Sequence, residues 1–223
     1  MHILPPLTPK GQRPTNQLLR DRTQGQNGQA TLSEVFMDSA SDAAGTGFLC
    51  AHLQGAEAPV LWIQDYLTQR QAGRPYLPGL PVPLKLIFVD VSKPVDVLWA
   101  MEEGLRCSGL SAVVGEVWGD PTALDFTATK RLALRAEARS LPCWLMRRAA
   151  PPNLSAARER WRINSLPSAP VRHDMRAPGK ALWKAELFRA RWRTPGHWVA
   201  RHGAEGIVLD HGQHPPQAST MEA

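Results

Sequence analysis

Short apolar runs punctuate the chain, and stretches with helical spacing lie between them. Residues 32–36 read as a strand, and Val60-Leu61-Trp62-Ile63 after Pro59 reads as a buried one. Residues 84–91 and 111–117 give two more apolar strands, and Cys143-Trp144-Leu145-Met146 after Pro142 gives a fifth. Ser92 offers an N-cap to a helix through Arg106 with Leu98, Met101 and Leu105 on one face. Asp125 or Thr127 caps a second helix over residues 128–140. Trp62, Ile63, Val113, Val114, Trp144 and Leu145 are the expected core. Strands apolar on both faces that alternate with helices predict an α/β fold, a mainly parallel sheet flanked by helices.

Past residue 150 the period changes to two. Arg160-Trp161-Arg162-Ile163 alternates, and so does 183–192, which would put Arg189, Arg191 and Arg193 on one strand face. Thr194-Pro195-Gly196 fits a tight turn, with Trp198-Val199-Ala200 returning. Antiparallel strands at the C-terminal edge of the sheet follow from this. One domain is expected over 31–210, between a mobile segment 1–30 with a short helix near 15–22 and a disordered tail 211–223. Pro-rich breaks fall at 149–153 and 167–179.

Charge alters this picture. The net value of +6 hides an imbalance. Residues 31–127 carry 5 Lys/Arg against 12 Asp/Glu, whereas 128–202 carry 17 against 4. A basic second half suits single-stranded DNA or an acidic partner, or is simply solvated. Arg131, Arg135 and Arg139 recur at helical spacing. Trp161, Trp183 and Trp192 lie in the same region and either stack on bases or belong to the core.

No apolar run reaches the length of a membrane span, and the first residues show no charged head before an apolar stretch, so a cytoplasmic protein is expected. Cys50, Cys107 and Cys143 lack paired spacing, which predicts three buried thiols and neither disulfides nor zinc. A phosphate loop would follow the first strand, but 37–49 contains Gly45-Thr46-Gly47 and no Lys, while Asp38 and Asp42 would repel phosphate. The small residues there suit a tight strand-to-helix turn. Glu116 and Asp120 are the nearest thing to an acid–base pair.

Several stretches in this order resemble the ImuA family, the RecA-like, SulA-related component of a bacterial mutagenesis cassette. They are Glu34-Val-Phe, Pro59-Val-Leu-Trp-Ile-Gln, Gly73-Arg-Pro-Tyr-Leu-Pro-Gly-Leu, Asp96-Val-Leu-Trp-Ala-Met-Glu-Glu-Gly-Leu-Arg-Cys, Val113-Val-Gly-Glu-Val-Trp-Gly, Leu124-Asp-Phe-Thr-Ala-Thr-Lys-Arg-Leu-Ala-Leu, Arg160-Trp-Arg-Ile and Glu186-Leu-Phe-Arg-Ala-Arg. The resemblance implies a RecA-like core whose nucleotide loop has degenerated at Gly45, Thr46 and Gly47. Glu116 stands in it for the acid ending the fourth core strand. The water-activating Glu falls near Tyr66, with Asp65 the neighbouring acid. ATP hydrolysis is therefore not expected, and no cofactor is implied.

The implied role is a non-catalytic adaptor in SOS-induced error-prone translesion synthesis. Its implied partners are an ImuB-like protein and an error-prone DnaE-type polymerase, with RecA and single-stranded DNA as further candidates. Arg131, Arg135, Arg139, Arg160, Arg162, Arg189, Arg191 and Arg193 are the candidate contact residues. The rival reading is a SulA-like cell-division inhibitor that binds FtsZ.

Overall fold

The computed structural model describes residues 30–80, 83–171, 173–204 and 206–210; the two end segments and the helix expected near 15–22 lie outside the described residues. Eleven strands are present among them: β1 Leu32–Phe36, β2 Val60–Asp65, β3 Leu86–Val91, β4 Ala112–Trp118, β5 Cys143–Arg148, β6 Glu159–Leu166, β7 Pro170–Val171, β8 Asp174–Pro178, β9 Leu182–Ala190, β10 Gly196–Gly203 and β11 Gly206–Asp210. The helices are α1 Ala44–His52, α2 Tyr66–Ala72, α3 Pro94–Gly104 and α4 Phe126–Arg139.

Nine strands form one sheet in the order β11-β10-β9-β6-β1-β5-β4-β2-β3. From β6 to β3 every pairing is parallel. Strands β9, β10 and β11 then add in antiparallel fashion. The expected α/β class and antiparallel edge are both found. β7 and β8 form a separate hairpin inside the Pro-rich stretch read as a break.

Alternation along the parallel strands splits the core in two. One face carries Val35, Trp62, Val114, Trp144, Met146 and Trp161 against Phe48 and Leu49 of α1. The other carries Leu32, Ile63, Val113, Val117 and Leu145 against α3 and α4. All six expected core residues are buried.

Capping explains two helix starts. The Asp125 carboxylate accepts the Ala128 N–H at 2.7 Å, and Ser140 ends α4 in the left-handed region at φ 51°. Asp65 caps α2 through the Thr68 N–H at 2.7 Å. Ser92 does not cap α3; Lys93 holds that position, makes no side-chain bond, and Pro94 at the first helical position presets the backbone. The helix through 106 ends instead at Gly104.

Candidate functional site

Gly45, Thr46 and Gly47 lie inside α1, so the tight turn expected of them is made one step earlier, over 37–43. A Cβ on Gly47 would sit 2.7 Å from the Trp183 indole, so glycine lets α1 approach β9 closely. The loop 37–43 is tied to β6. Asp38 donates its N–H to Asn164 Oδ1 at 2.9 Å and accepts from Asn164 Nδ2 at 2.7 Å. Asp42 accepts from the Ala44 N–H at 2.8 Å and from the Ser165 N–H and hydroxyl at 2.8 and 2.6 Å. Burial works against the Asp42 carboxylate, but these bonds from Ser165 and Ala44 and the charge of Arg148 outweigh it and hold its pKa below the ordinary value. The two acids that would repel phosphate therefore serve as loop anchors.

The crevice at the C-terminal ends of β1, β4 and β5 is filled by Arg148, the last residue of β5. Its side chain is 3% exposed. Nε donates to the Glu116 carboxylate. Nη1 donates to the carbonyls of Ala40 and Asp42 at 3.0 and 3.1 Å, and Nη2 to Thr46 Oγ1 at 2.9 Å. Glu116 also accepts from Trp62 Nε1 at 3.1 Å and Gln64 Nε2 at 2.7 Å.

A phosphate cradle points backbone N–H groups inward. Here the loop turns two carbonyls inward onto a guanidinium, so its polarity is reversed. Four of the five guanidinium N–H groups are spent on the protein itself.

A second buried network lies on the opposite face. Glu34 accepts from Arg160 Nε at 2.6 Å and the Ser155 hydroxyl at 2.9 Å, with Arg147 3.8 Å away. Arg147 in turn donates to Asp120 at 2.7 Å. Glu116 and Asp120, read as a possible acid–base pair, are thus engaged by different arginines. Asp65, the only acid near the expected water-activating position, is spent capping α2 and accepting the Trp118 N–H at 3.3 Å, while Tyr66 is exposed.

The structure separates the candidate arginines. Arg160 is buried beside Phe36 and Phe188, with its guanidinium 5.1 and 5.3 Å from the ring centroids. Arg162 pairs with Glu186 at 2.8 Å. Arg131 and Arg135 both pair with Glu102 of α3, at 2.9 and 3.2 Å, while Arg139 stands exposed.

The face expected of Arg189, Arg191 and Arg193 forms only in part: Arg189 and Arg191 line one groove, and Arg193 leaves it. β9 ends at Ala190 opposite Glu159, the Arg191 N–H makes one further bond to the Arg158 carbonyl at 2.9 Å, and the chain bends through 191–193. Arg193 turns inward onto Glu159 at 2.8 Å, 4.7 Å from the Trp161 ring. Gly196 is already paired with Leu187, so the tight Pro-Gly turn is absent too.

Trp161 and Trp183 are core residues. Cys50 and Cys143 are buried as expected, but Cys107 is exposed. Burial, helped by Glu116, pushes the Cys50 thiol up to about 12. Sequence reasoning missed Arg147, Arg148 and Glu34. Two consecutive arginines ending an apolar strand were the available sign, since neighbours in a strand face opposite sides.

Among the described residues, no group of three His, Cys, Asp or Glu could hold a metal ion, and no helix is long and apolar enough to cross a membrane. The chain is thus an α/β protein with a mainly parallel sheet whose strand-end crevice is closed by its own arginine.

No family model matches it. It is 35% identical over 152 residues to Protein ImuA of Caulobacter vibrioides, in strain NA1000 / CB15N and equally in strain ATCC 19089 / CIP 103742 / CB 15. That stretch covers 63% of this chain and 59% of the relative, so the chain matches about three fifths of the length of ImuA. Over that stretch the chain is similar to ImuA.

Proposed function

We propose that this protein is a non-catalytic, RecA-like accessory factor of SOS-induced error-prone translesion DNA synthesis. It acts in the cytosol as an adaptor with an ImuB-like protein and an error-prone DnaE-type polymerase. The homology to ImuA supports the cassette, and the Arg148 plug is the single observation that carries the non-catalytic reading. Seating a nucleotide phosphate would require expelling Arg148 and leaving Glu116 buried without its cation. Stranding one member of a buried ion pair costs about 3–5 kcal/mol. At about 1.4 kcal/mol per tenfold, that weakens a nucleotide site by roughly a hundredfold to several thousandfold. Thr46 supplies no phosphate-binding cation, and its hydroxyl is already engaged.

Two measurements test the proposal. A purified, contaminant-checked sample should neither hydrolyse ATP nor bind Mg-ATP in calorimetry; turnover comparable with active RecA-type enzymes overturns it. A tagged copy recovered from DNA-damaged cells should retain the ImuB-like protein. Retention of FtsZ instead assigns the chain to the division-inhibitor reading.

A further inference from the structure

A groove of about 380 Å³ lies between α4 and the end of β9. Phe126, Lys130 and Leu134 recur every four residues and form one row on α4. Ser155, Ala156 and Ala157 also line it, and Arg158, Arg189, Ala190 and Arg191 complete it. Phe126 and Leu134 are 42% and 49% exposed, which is unusual on a helix whose core-facing side already buries Leu132, Ala133 and Ala136. From the helical rise they stand about 12 Å apart.

The Ser155 hydroxyl and two N–H groups of the 155–157 segment are already used. The Ser155 hydroxyl donates to Glu34, the Ala156 N–H to Thr129 Oγ1, and the Ala157 N–H to Ser155 Oγ. What this segment offers an occupant is chiefly apolar contact. The rest of the lining is cationic: four cations and no carboxylate. The nearby Glu137 is taken up by Arg158 at 2.6 and 3.2 Å and by Thr31 at 3.1 Å. Lys130 and Arg189 are exposed and have no ion-pair partner among the described residues.

We propose that this groove binds a short acidic segment of a partner protein carrying two large apolar side chains. The apolar groups seat between Phe126, Leu134 and the alanines, and the carboxylates meet Lys130, Arg189 and Arg191. Electrostatic complementarity over an apolar floor is the basis for this choice. Single-stranded nucleic acid matches the charge, but Phe126 is the only aromatic in the lining on which a base could stack. Segments 1–29 and 211–223 lack the chemistry: the first carries Lys10, Arg13, Arg20 and Arg22 against Asp21, and the second has Glu222 as its one acidic side chain.

The proposal deepens the adaptor reading and rests on it for the existence of a partner, but its test uses no cassette protein. Random peptides of about 14 residues, long enough for two helical anchors, are displayed on phage and selected against the full chain. The enriched set should be acidic with two large apolar residues, and binding should weaken with salt. Leu134→Ser and Arg189→Glu alter only exposed groups. Each should weaken the selected peptides by roughly tenfold or more, a loss of one 1.4 kcal/mol step, with an unchanged melting temperature.

No enrichment, enrichment without acidic bias, or equal binding by both variants overturns the proposal. Tighter binding of a single-stranded oligonucleotide, lost in the same variants, reassigns the groove to nucleic acid. Self-association lost in those variants reassigns it to a second copy. Failure here with the ImuB-like protein still retained in the pull-down leaves the adaptor reading intact.

Discussion

Arg148 and Glu116 define the strongest residue-scale dependence. Arg148→Ala should cost about 3–5 kcal/mol in urea unfolding, because a buried carboxylate loses its cation. The double variant Arg148→Met/Glu116→Gln should recover most of that loss, and additive effects would exclude coupling between the two. His52 sets a pH limit. Its ring packs 4.4 Å from Phe48 and 5.2 Å from Trp144, and burial, helped by the Arg193 charge, holds its pKa down to about 3. The unfolded chain protonates first as pH falls, so stability present above pH 6.5 drains away between 6.5 and 3. The loss by pH 5 is about 2 kcal/mol. His202, also held below its ordinary value by burial, pulls in the same direction. His52→Gln should flatten the acid limb of a stability–pH profile, and an unchanged limb would place the proton elsewhere. Among the thiols, only exposed Cys107 should label with iodoacetamide in the native protein, as read by mass spectrometry; labelling of Cys50 would contradict its raised pKa.

At the scale of elements, β4 is the most constrained strand. It lies between β5 and β2 with Val113 and Val114 buried on opposite faces. Val114→Asp should abolish the cooperative melt, because an unpaired buried charge costs on the order of the whole stability. A soluble Val114→Asp protein with a normal melt would refute the sheet. The inner parallel strands β1, β2, β4 and β5 were legible because both faces are buried, and a continuous apolar run such as Val60 to Ile63 has few other uses. The end of β9 was not. Alternation continues in the letters through Arg193, but a strand lasts only as long as its neighbour, and β6 starts at Glu159. The plug was equally hidden, because Arg148 meets residues more than a hundred positions earlier in the chain. Its chemistry depends on a pairing order that no local pattern displays.

Across the whole molecule, the basic second half is less of a surface than its charge suggests. Arg147, Arg148 and Arg160 are interior, and Arg158, Arg162 and Arg193 are held in ion pairs. Exposed cations such as Lys130, Arg189 and Arg191 are what remain for a partner. Arg193→Gln should therefore lower thermal stability and leave the salt slope of any single-stranded DNA binding unchanged. Replacing both Arg189 and Arg191 by Gln should lower such a slope by about 1.4, at roughly 0.7 per contact. A slope that responds to Arg193 and not to the exposed pair would reverse this assignment.

The reversed polarity of the crevice bears on how this site could change. If a descendant gained lysine at position 46, its ammonium would meet the Arg148 guanidinium where the Thr46 hydroxyl now accepts from Nη2 at 2.9 Å. Removing Arg148 first exposes the descendant to the penalty of a stranded Glu116. Removing Glu116 first leaves the arginine without its counter-ion. Each single step toward phosphate binding passes through a less stable protein. A phosphate site could be opened here only by changing Arg148 and Glu116 together.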